Sequence, residues 1–333
     1  MMQVERQRYI GAVDIGGTKI AAGLVDADGN IIEQESCPTD RDKDYRHGLD
    51  QIQSMLAACL ARRPGARLVG VGVGCTGPVD RETGVLGPNS FLPLWEGVSL
   101  IDLLQERLGV TAAIENDADA AALGEYFWGA GRGAQTCMYV TVSTGIGCGL
   151  IADGRVYQGA GGAHPELGHM IIEAGNGPVC FCGGRGCWES LASGTGMARW
   201  YNEQRRERVA VSAGEADIVK VDAAEICKRA ESGELLAREA VEREGYYLGI
   251  GLANIINAFV PDVIVLGGGV MRSWHLFEKA VRAIIRQNCL LVPHERTALR
   301  QAALGAHTGL AGAARVWMQR YGDPTQLEIG GDG

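Results

Sequence analysis

Residues 9–32 read YIGAVDIGGTKIAAGLVDADGNII, a stretch in which short apolar runs are separated by two turn-forming pairs, Gly16-Gly17 and Asp28-Gly29. Apolar runs bounded by such pairs are typical of strands joined by hairpin turns. The stretch MYVTVSTGIGCGLIADGRVYQG, residues 138–159, repeats this layout about 130 residues later. The repetition predicts a duplicated β-unit, and therefore two related lobes that face each other.

Helical patterns lie between and after these two stretches. Apolar residues at helical spacing predict four helices, over residues 42–62, 116–129, 234–259 and 273–287. The segment SLIDLLQERLG predicts a further helix, with a capping-box arrangement at Ser99 and Asp102 and an end at Gly109. Strands that alternate with helices are typical of an α/β fold, and a chain of 333 residues is long enough for two lobes.

The chain carries a net charge of −9 and contains no block of lysine or arginine residues. Binding to nucleic acid or to an anionic membrane needs a basic face, so neither partner is expected. The most apolar segment, residues 249–269, is interrupted by Asn254, Asn257, Pro261 and Asp262 and is therefore not a membrane span. The N-terminus lacks an apolar signal core, which predicts a cytoplasmic protein with reduced cysteines.

The hexapeptide DIGGTK, residues 14–19, invites comparison with nucleotide-binding loops. Walker A and Rossmann loops lead into a helix, whereas the segment IAAGLVD that follows here is typical of a returning strand. In such a hairpin, the N–H groups of Gly16 and Gly17 can surround phosphate oxygens. Asp14 can then hold Mg²⁺ through water, and Thr18 or Lys19 can offset phosphate charge. An ordinary hairpin turn is the alternative interpretation.

Two more glycine-rich turns favour the nucleotide interpretation. STGIGCG, residues 143–149, matches the first turn in the repeated stretch, and VLGGGV, residues 265–270, places three glycines at a strand end. Strand ends of this kind are where α/β folds bind ligands. Three such turns in one chain predict a nucleotide cleft between two lobes.

The stretch HPELGHMIIEAGNGPVCFCGGRGCWES, residues 164–190, contains the spacing H-x10-C-x-C-x4-C. One histidine and three cysteines form a closed tetrahedral set suited to structural Zn²⁺, here His169, Cys180, Cys182 and Cys187. A disulfide would leave one cysteine unpaired in a reducing compartment, and three free thiols are the other alternative. Zinc is favoured over both.

The predicted zinc loop carries an acidic residue on each side, Glu166 and Glu189. A closed zinc site does no chemistry itself, but it can hold a loop rigid. Two carboxylates fixed beside a metal-anchored histidine suit hydrogen bonding to a polyhydroxylated substrate. Solvated loop acids are the alternative.

These motifs together resemble the ROK family of sugar kinases and transcriptional repressors, from Tyr9 to about Met318. The resemblance rests on DIGGTK, ENDADAAALGE from Glu115, residues 142–169, CFCGGRGCWESLASG and PDVIVLGGGV. It implies an α/β fold of the two-lobed actin-like ATPase (ribonuclease-H-like) class with a cleft between the lobes. The expected small lobe is residues 1–115 plus about 304–322, and the large lobe is residues 116–303. The polar residues 323–333 are expected to form a loose tail.

The resemblance also implies roles for particular residues. Asp117 would be the general base that takes the proton from the sugar hydroxyl as it attacks the γ-phosphate of ATP, and a helix N-terminus would help keep it ionised. The residues implied to bind sugar hydroxyls with Asp117 are Asn89, Asn116, Glu166, His169 and Glu189. His169 would ligate zinc through its other ring nitrogen. The residues implied to contact ATP are Gly16, Gly17, Thr18, Thr144, Gly145, Gly267 and Gly268.

The resemblance favours an ATP-dependent hexose kinase, with glucose as the leading substrate. CFCGGRGCWE is similar to the glucokinase and N-acetylmannosamine kinase branch, whereas the pair His164-Pro165 is similar to fructokinase-like relatives. The stretch PNSFLPLWEGV from Pro88 is longer than the corresponding pattern of the family's glucokinases. Fructose, mannose and the N-acetylhexosamines N-acetylmannosamine and N-acetylglucosamine therefore stay open as substrates.

A sugar-responsive transcriptional regulator is the alternative from a different functional class. Such regulators need a helix-turn-helix ahead of the kinase fold. The first predicted strand starts near Tyr9, and the acidic charge also argues against DNA binding. Family members are commonly dimers or tetramers, so the resemblance implies a homodimer or homotetramer.

Overall fold

The structure is a computed structural model that describes residues 7–210 and 219–326. Its strands are β1 (Arg8–Ile15), β2 (Lys19–Val25), β3 (Ile31–Pro38), β4 (Arg67–Cys75), β5 (Thr111–Asn116), β6 (Thr136–Val142), β7 (Ile146–Ala152), β8 (Arg155–Val156), β9 (Val263–Gly267) and β10 (Ala298–Gln301). Its helices are α1 (Tyr45–Ala61), α2 (Leu100–Leu108), α3 (Asp117–Trp128), α4 (Trp188–Ala192), α5 (Gly194–Ala210), α6 (Ala223–Glu231), α7 (Leu235–Phe259), α8 (Trp274–Asn288) and α9 (Thr308–Tyr321).

The local predictions agree with these elements. β1 and β2 form the predicted antiparallel hairpin, with Ile15 opposite Ile20. Helices α1, α3, α7 and α8 occupy the four predicted ranges to within a few residues. Ser99 caps α2 by accepting a hydrogen bond from the Asp102 N–H at 3.4 Å, and the helix ends at Gly109 in the left-handed conformation. The predicted α/β class is confirmed.

The chain forms two compact units. The first comprises Met1–Gln135, Gly149–Pro165 and Ala302–Gly333, and the second comprises Thr136–Cys148 and Glu166–Gln301. In this division α3 belongs to the first unit, whereas the predicted lobe boundary lies ahead of it. The lobe boundaries inferred from the sequence stay a prediction. The predicted tail lies outside the described residues from position 327 onward.

The first unit contains a five-stranded sheet of order β3-β2-β1-β4-β5. In β4, valine and glycine alternate, so that Val71 and Val73 enter the hydrophobic core on one face. On the other face, a Cβ atom at Gly72 would lie 1.8 Å from the carbonyl oxygen of Ala313 in α9. A Cβ atom at Gly74 would lie 3.6 Å from the Cα atom of Asp117. The glycines therefore let α9 and the start of α3 pack directly against β4.

The second unit contains β6, β9 and β10, in which β9 pairs in parallel with both neighbours. The strand order of this sheet is β10-β9-β6-β7-β8, in which β8 pairs antiparallel with the end of β7. Gly245 and Gly249 bring α7 against Ala280 and Ile284 of α8. Among the described helices, none combines the length and apolarity needed to cross a bilayer.

Glu125 of α3 has no exposed surface, and its carboxylate holds together distant parts of the first unit. It accepts hydrogen bonds from the N–H groups of Ala303 and Leu304 at 3.0 Å and from Ala130 at 2.9 Å. The hydroxyl of Thr308 donates to the same group at 3.1 Å. The carboxylate thereby attaches the segment before α9 to the end of α3.

Replacement of Glu125 by leucine is expected to lower the free energy of unfolding by roughly 3–5 kcal/mol, because it leaves several buried donors without an acceptor. Urea denaturation followed by tryptophan fluorescence measures the loss. Glu125→Gln retains part of the hydrogen bonding and should give a smaller loss. Glu106→Leu, at an exposed position of α2, is the control and should change stability by less than about 0.5 kcal/mol. A similarly small change in Glu125→Leu would contradict the assigned role.

Candidate active site

The turn after β1 is braced by the end of β3. The Gly16 N–H donates to the Lys19 carbonyl oxygen at 3.0 Å, which closes the hairpin. The Thr39 hydroxyl donates to the Gly16 carbonyl oxygen at 2.7 Å, and its N–H donates to the carbonyl oxygen of Thr18 at 3.0 Å. Thr18 and Lys19 are exposed. Backbone and side-chain hydrogen bonds therefore fix the conformation of the predicted turn, and the side chains of Thr18 and Lys19 are exposed at its tip.

Asp14 lies half-buried next to this turn and against the first turn of α9. A Cβ atom at Gly309 would lie 2.3 Å from an Asp14 carboxylate oxygen, so the position opposite Asp14 requires glycine. Burial raises the pKa of Asp14, and the positive charge of Lys19 opposes this effect. The sequence carried no local signal for Gly309, because its constraint arises only when α9 packs against β1.

Asn116 is the N-cap of α3 and is buried. Its Oδ1 accepts hydrogen bonds from the N–H groups of Ala118 at 2.9 Å and Asp119 at 3.4 Å. Its Nδ2 donates to the Gly77 carbonyl oxygen at 3.2 Å. The capping role therefore belongs to Asn116, which leaves the side chain of the next residue, Asp117, available for another task.

Asp117 is the first residue of α3 and is half-buried. Its Oδ1 accepts a hydrogen bond from the Ala118 N–H at 2.9 Å. Burial, followed by the negative charge of Asp14, raises the pKa of Asp117 to about 7. The Ala118 N–H at the helix N-terminus lowers the pKa of Asp117, which is the direction expected from the sequence, but desolvation outweighs it. A carboxyl group with this pKa is suited to general-base catalysis near neutral pH.

Asn89 supports the loop after β4. Its Nδ2 donates to the Thr76 carbonyl oxygen at 2.7 Å, and its Oδ1 accepts from the Phe91 N–H at 2.8 Å. A Cβ atom at Gly77 would lie 2.4 Å from the Asn89 Nδ2. The side chain is therefore held in a defined orientation by backbone groups of its own loop.

The first unit also contains buried titratable groups that the sequence analysis did not single out. Asp119 is 1% exposed, and its Oδ2 lies 2.6 Å from the Nδ1 of His164. Glu115 is 8% exposed and lies 3.8 Å from the Arg81 guanidinium. Burial, followed by the charge of Asp119, raises the pKa of Glu115 to about 7. The only sequence signal was the density of acidic residues in the run ENDAD.

In the second unit, the turn after β6 meets the start of α5. The Ser143 N–H donates to the Gly145 carbonyl oxygen at 2.9 Å, which closes the turn. The Gly194 N–H donates to the Ser143 carbonyl oxygen at 2.8 Å, and the Thr195 N–H donates to that of Thr144 at 3.4 Å. The positive end of a helix therefore lies beside the predicted phosphate turn, which favours an anion there.

The end of β9 requires glycine at two positions. A Cβ atom at Gly267 would lie 2.2 Å from the Tyr139 hydroxyl oxygen. Gly268 has a φ of +90°, and a Cβ atom there would lie 2.3 Å from the Val142 carbonyl oxygen. Because Gly268 itself is exposed, its backbone is open to a ligand at the strand end.

A cavity of about 960 Å³ lies in the second unit and begins at these turns, with Thr144, Gly194, Thr195 and Gly269 in its wall. Its cationic lining residues are Arg199, Arg206, Lys220, Lys228 and Arg272, and its acidic lining residues are Glu203, Asp222 and Glu231. The cavity is thus more basic than the chain as a whole. Its volume is in the range of cofactor pockets.

Glu189 lies on α4 and faces the turn after β6. Its Oε2 accepts a hydrogen bond from the Ile146 N–H at 2.9 Å, and a Cβ atom at Gly145 would lie 2.2 Å from the same oxygen. Burial raises the pKa of Glu189. Glu166 is exposed and begins the short 3-10 turn Leu167–His169. The second unit therefore brings the predicted acids near the predicted metal-binding histidine, His169.

The four predicted zinc ligands lie together. The donor atoms of His169, Cys180, Cys182 and Cys187 are all within 4.8 Å of one another. The His169 Nδ1 lies 3.6 Å from the Cys180 Sγ, and the sulfur atoms of Cys182 and Cys187 are 3.7 Å apart. A tetrahedral zinc site has donor–donor distances of roughly 3.5–3.8 Å. The donor set and its spacing therefore fit Zn²⁺, and the cysteines form no disulfide.

The cysteine loop leads directly into the helix that carries Glu189. The Gly184 N–H donates to the Cys182 Sγ at 3.4 Å, which lowers the pKa of that thiol. Isolated β-bridges pair Ile171 with Cys187 and Val179 with Arg185. Because α4 begins at the residue after Cys187, a metal ion in this loop would hold Glu189 in place.

Known proteins similar to this chain include glucokinases and a xylose repressor. The model of the ROK family matches residues 10–320. The glucokinase of Thermotoga maritima is 34% identical over 93% of this chain and 97% of its own length. The structure of a ROK family glucokinase from Streptomyces griseus, in complex with glucose and AMPPNP, is 31% identical with a TM-score of 0.77, over 92% of this chain and 98% of that one. The xylose repressor of Bacillus spizizenii is 30% identical over 96% of this chain and 79% of its own length.

Proposed function

The chain belongs to the ROK family and is a sugar kinase, and we propose that it transfers the γ-phosphate of ATP to the 6-hydroxyl group of a hexose, with glucose as the preferred acceptor. The fold is the two-lobed α/β fold of actin-like (ribonuclease-H-like) ATPases, as the family resemblance implied. The observation that carries the proposal is Asp117, a half-buried carboxylate at the start of α3 whose pKa is raised to about 7.

ATP is the proposed phosphate donor. In the first unit, Gly16, Gly17 and Thr18 would contact its phosphates, with Lys19 offsetting their charge and Asp14 holding Mg²⁺ through water. In the second unit, the proposed contacts are Thr144, Gly145, Gly267 and Gly268. The basic cavity that begins at Thr144 supports this assignment, as does the AMPPNP bound to the Streptomyces griseus relative.

A hexose is the proposed acceptor. In the second unit, Glu166, His169 and Glu189 would bind sugar hydroxyls. In the first unit, Asn89 and Asn116 each use one N–H of the side-chain amide for a backbone carbonyl group, and the second N–H of each amide can serve a sugar oxygen. Backbone hydrogen bonds fix both amides, so they would present these groups to the sugar in a defined orientation.

Asp117 would act as the general base. Its carboxylate accepts the proton of the attacking hydroxyl group while the new bond to phosphorus forms. The Ala118 N–H holds one carboxylate oxygen at 2.9 Å, which leaves the other oxygen for the sugar. Burial, followed by the charge of Asp14, raises the pKa of Asp117 and so makes the carboxylate a stronger base.

Zn²⁺ is proposed to have a structural role. His169, Cys180, Cys182 and Cys187 would complete its four-coordinate shell, so the ion would stabilise the loop without taking part in the reaction. With the Nδ1 of His169 directed at the cysteines, the Nε2 is the ring nitrogen that would serve the sugar.

Release of ADP from Mg-ATP, measured with glucose, mannose, fructose, N-acetylglucosamine and N-acetylmannosamine, tests the proposal. Turnover on glucose on the order of 1–100 s⁻¹ is expected, with little ADP release when no sugar is present. Faster turnover on another sugar would replace glucose as the proposed substrate and would leave the assignment as a sugar kinase unchanged. A parallel reaction with polyphosphate in place of ATP, followed by formation of the sugar phosphate, tests whether ATP is the phosphate donor. Turnover on no sugar, together with a specific gel shift of promoter DNA, would favour the regulator that the xylose repressor relative represents.

The oligomeric state stays a prediction from the family resemblance, which implies a homodimer or homotetramer. Light scattering coupled to size-exclusion chromatography measures the mass directly, and a mass of about 35 kDa would exclude both assemblies.

A further inference from the structure

The start of α3 concentrates carboxyl groups in the first unit. Asp14 of β1, Glu115 of β5 and Asp117 and Asp119 of α3 are buried or half-buried within electrostatic reach of one another. Burying several carboxylates together is unfavourable unless cations or hydrogen bonds compensate them. The source of the compensating charge therefore matters for the proposed base, Asp117.

Each carboxyl group has a different neighbour. Asp14 interacts with the exposed Lys19, and Glu115 lies 3.8 Å from Arg81. Asp119 is the most deeply buried of the four, and its Oδ2 lies 2.6 Å from the Nδ1 of His164. The His164 side chain is itself only 11% exposed, and it comes from the segment that follows β8.

We propose that His164, as an imidazolium ion, compensates the buried Asp119 carboxylate and so preserves Asp117 in the ionised form that a base requires. The inference rests on the proposed role of Asp117 in sugar phosphorylation. His164 does not touch the reacting atoms in this scheme and acts through Asp119 and Asp117, so it is a positioning residue.

The charges around Asp117 support this assignment. After burial and the Asp14 charge, its pKa is lowered by the Ala118 N–H and by His164 and raised by Asp119. Cys75, at the end of β4, also faces this group, but burial raises the pKa of its thiol well above its usual range and keeps it neutral. The positive charge of His164 and the negative charge of Asp119 therefore act on the pKa of Asp117 in opposite directions.

The substitutions His164→Asn and His164→Asn/Asp119→Asn separate charge compensation from packing. The single variant removes the cation and leaves the Asp119 carboxylate buried. The double variant removes both charges. A purely structural role would make the two variants equally defective, because both lose the pair at 2.6 Å.

The direct measurement is the titration of Asp117 and Asp119 by carbon-13 NMR on protein labelled in aspartate, with Asp117→Asn for assignment. In His164→Asn, the two coupled titration midpoints of Asp117 and Asp119 are expected to rise, and their summed rise should be about one pH unit. In the double variant, the Asp117 midpoint is expected to return to the wild-type value. Unchanged midpoints in His164→Asn, or an Asp117 midpoint as high in the double variant as in the single one, would overturn the proposal.

The same variants can be followed by the pH dependence of turnover. The pH at which kcat falls on the acid side should be higher in His164→Asn than in the wild type and should return to the wild-type value in the double variant. Measurements of Tm and circular dichroism check that each variant is folded. His164→Gln is the second single variant should the asparagine variant not fold. Because the NMR titration needs no turnover, failure of the kinase assignment and failure of the charge-compensation proposal give different results.

Discussion

Replacing Asp117 by asparagine is expected to lower kcat by roughly 10²–10⁴-fold while sugar affinity changes by less than about threefold. The asparagine side chain has the same shape, and its Oδ1 can keep the hydrogen bond from the Ala118 N–H. It cannot accept the proton of the attacking hydroxyl group, so the loss appears in turnover. ADP release under saturating sugar and calorimetric titration with the sugar measure the two quantities.

The control is Asp102→Asn, an exposed aspartate of α2 with no role in the proposed mechanism. It should lose far less activity than Asp117→Asn. A near-normal kcat in Asp117→Asn would remove Asp117 from the role of base, whereas a large loss of sugar affinity would make it chiefly a binding residue.

The raised pKa of Asp117 also predicts how turnover depends on pH. Only the ionised carboxylate can act as a base, and its fraction falls about tenfold for each pH unit below the pKa. With a pKa of about 7 in the free enzyme, kcat/KM for the sugar should fall steadily as the pH decreases from 7 to 5. The residual rate of Asp117→Asn should not show this fall between pH 7 and pH 5. A wild-type kcat/KM that stays constant down to pH 5 would contradict the raised pKa.

Removal of zinc is expected to unfold the loop that carries its four ligands and to abolish sugar phosphorylation. Structural zinc contributes on the order of 10 kcal/mol to the folding of small sites. Elemental analysis should find about one zinc per chain, and Cys182→Ser should reduce both zinc content and sugar affinity. Cys182 is exposed, so its replacement disturbs ligation without opening a cavity in the core.

Cys37→Ser is the control for the zinc experiment, because Cys37 lies on β3 in the other unit. It should leave zinc content and activity unchanged. Freshly purified protein without bound metal, or Cys182→Ser with full zinc content, would contradict the zinc proposal. Loss of zinc without loss of sugar affinity would show that Glu189 is positioned without the metal ion.

The features that the sequence determined by itself depend on neighbouring residues. The β1–β2 hairpin follows from apolar runs around Gly16-Gly17, and the start of α2 follows from the hydroxyl of Ser99. The four metal-ligand positions fall within a short stretch, so their residue types and spacing indicated a closed site whose donor atoms do lie together. Local backbone geometry decides such features, and local sequence therefore reveals them.

The remaining features depend on which distant segments pack together. Gly309 must be glycine only because α9 lies against Asp14. Glu125 stabilises the first unit only because the segment before α9 donates hydrogen bonds to its carboxylate. The same holds for the pKa of Asp117: a helix start alone would make this carboxyl more acidic, whereas burial beside Asp14 makes it less so. Desolvation and charge proximity are properties of the packed chain, so only the tertiary structure could decide how Asp117 ionises.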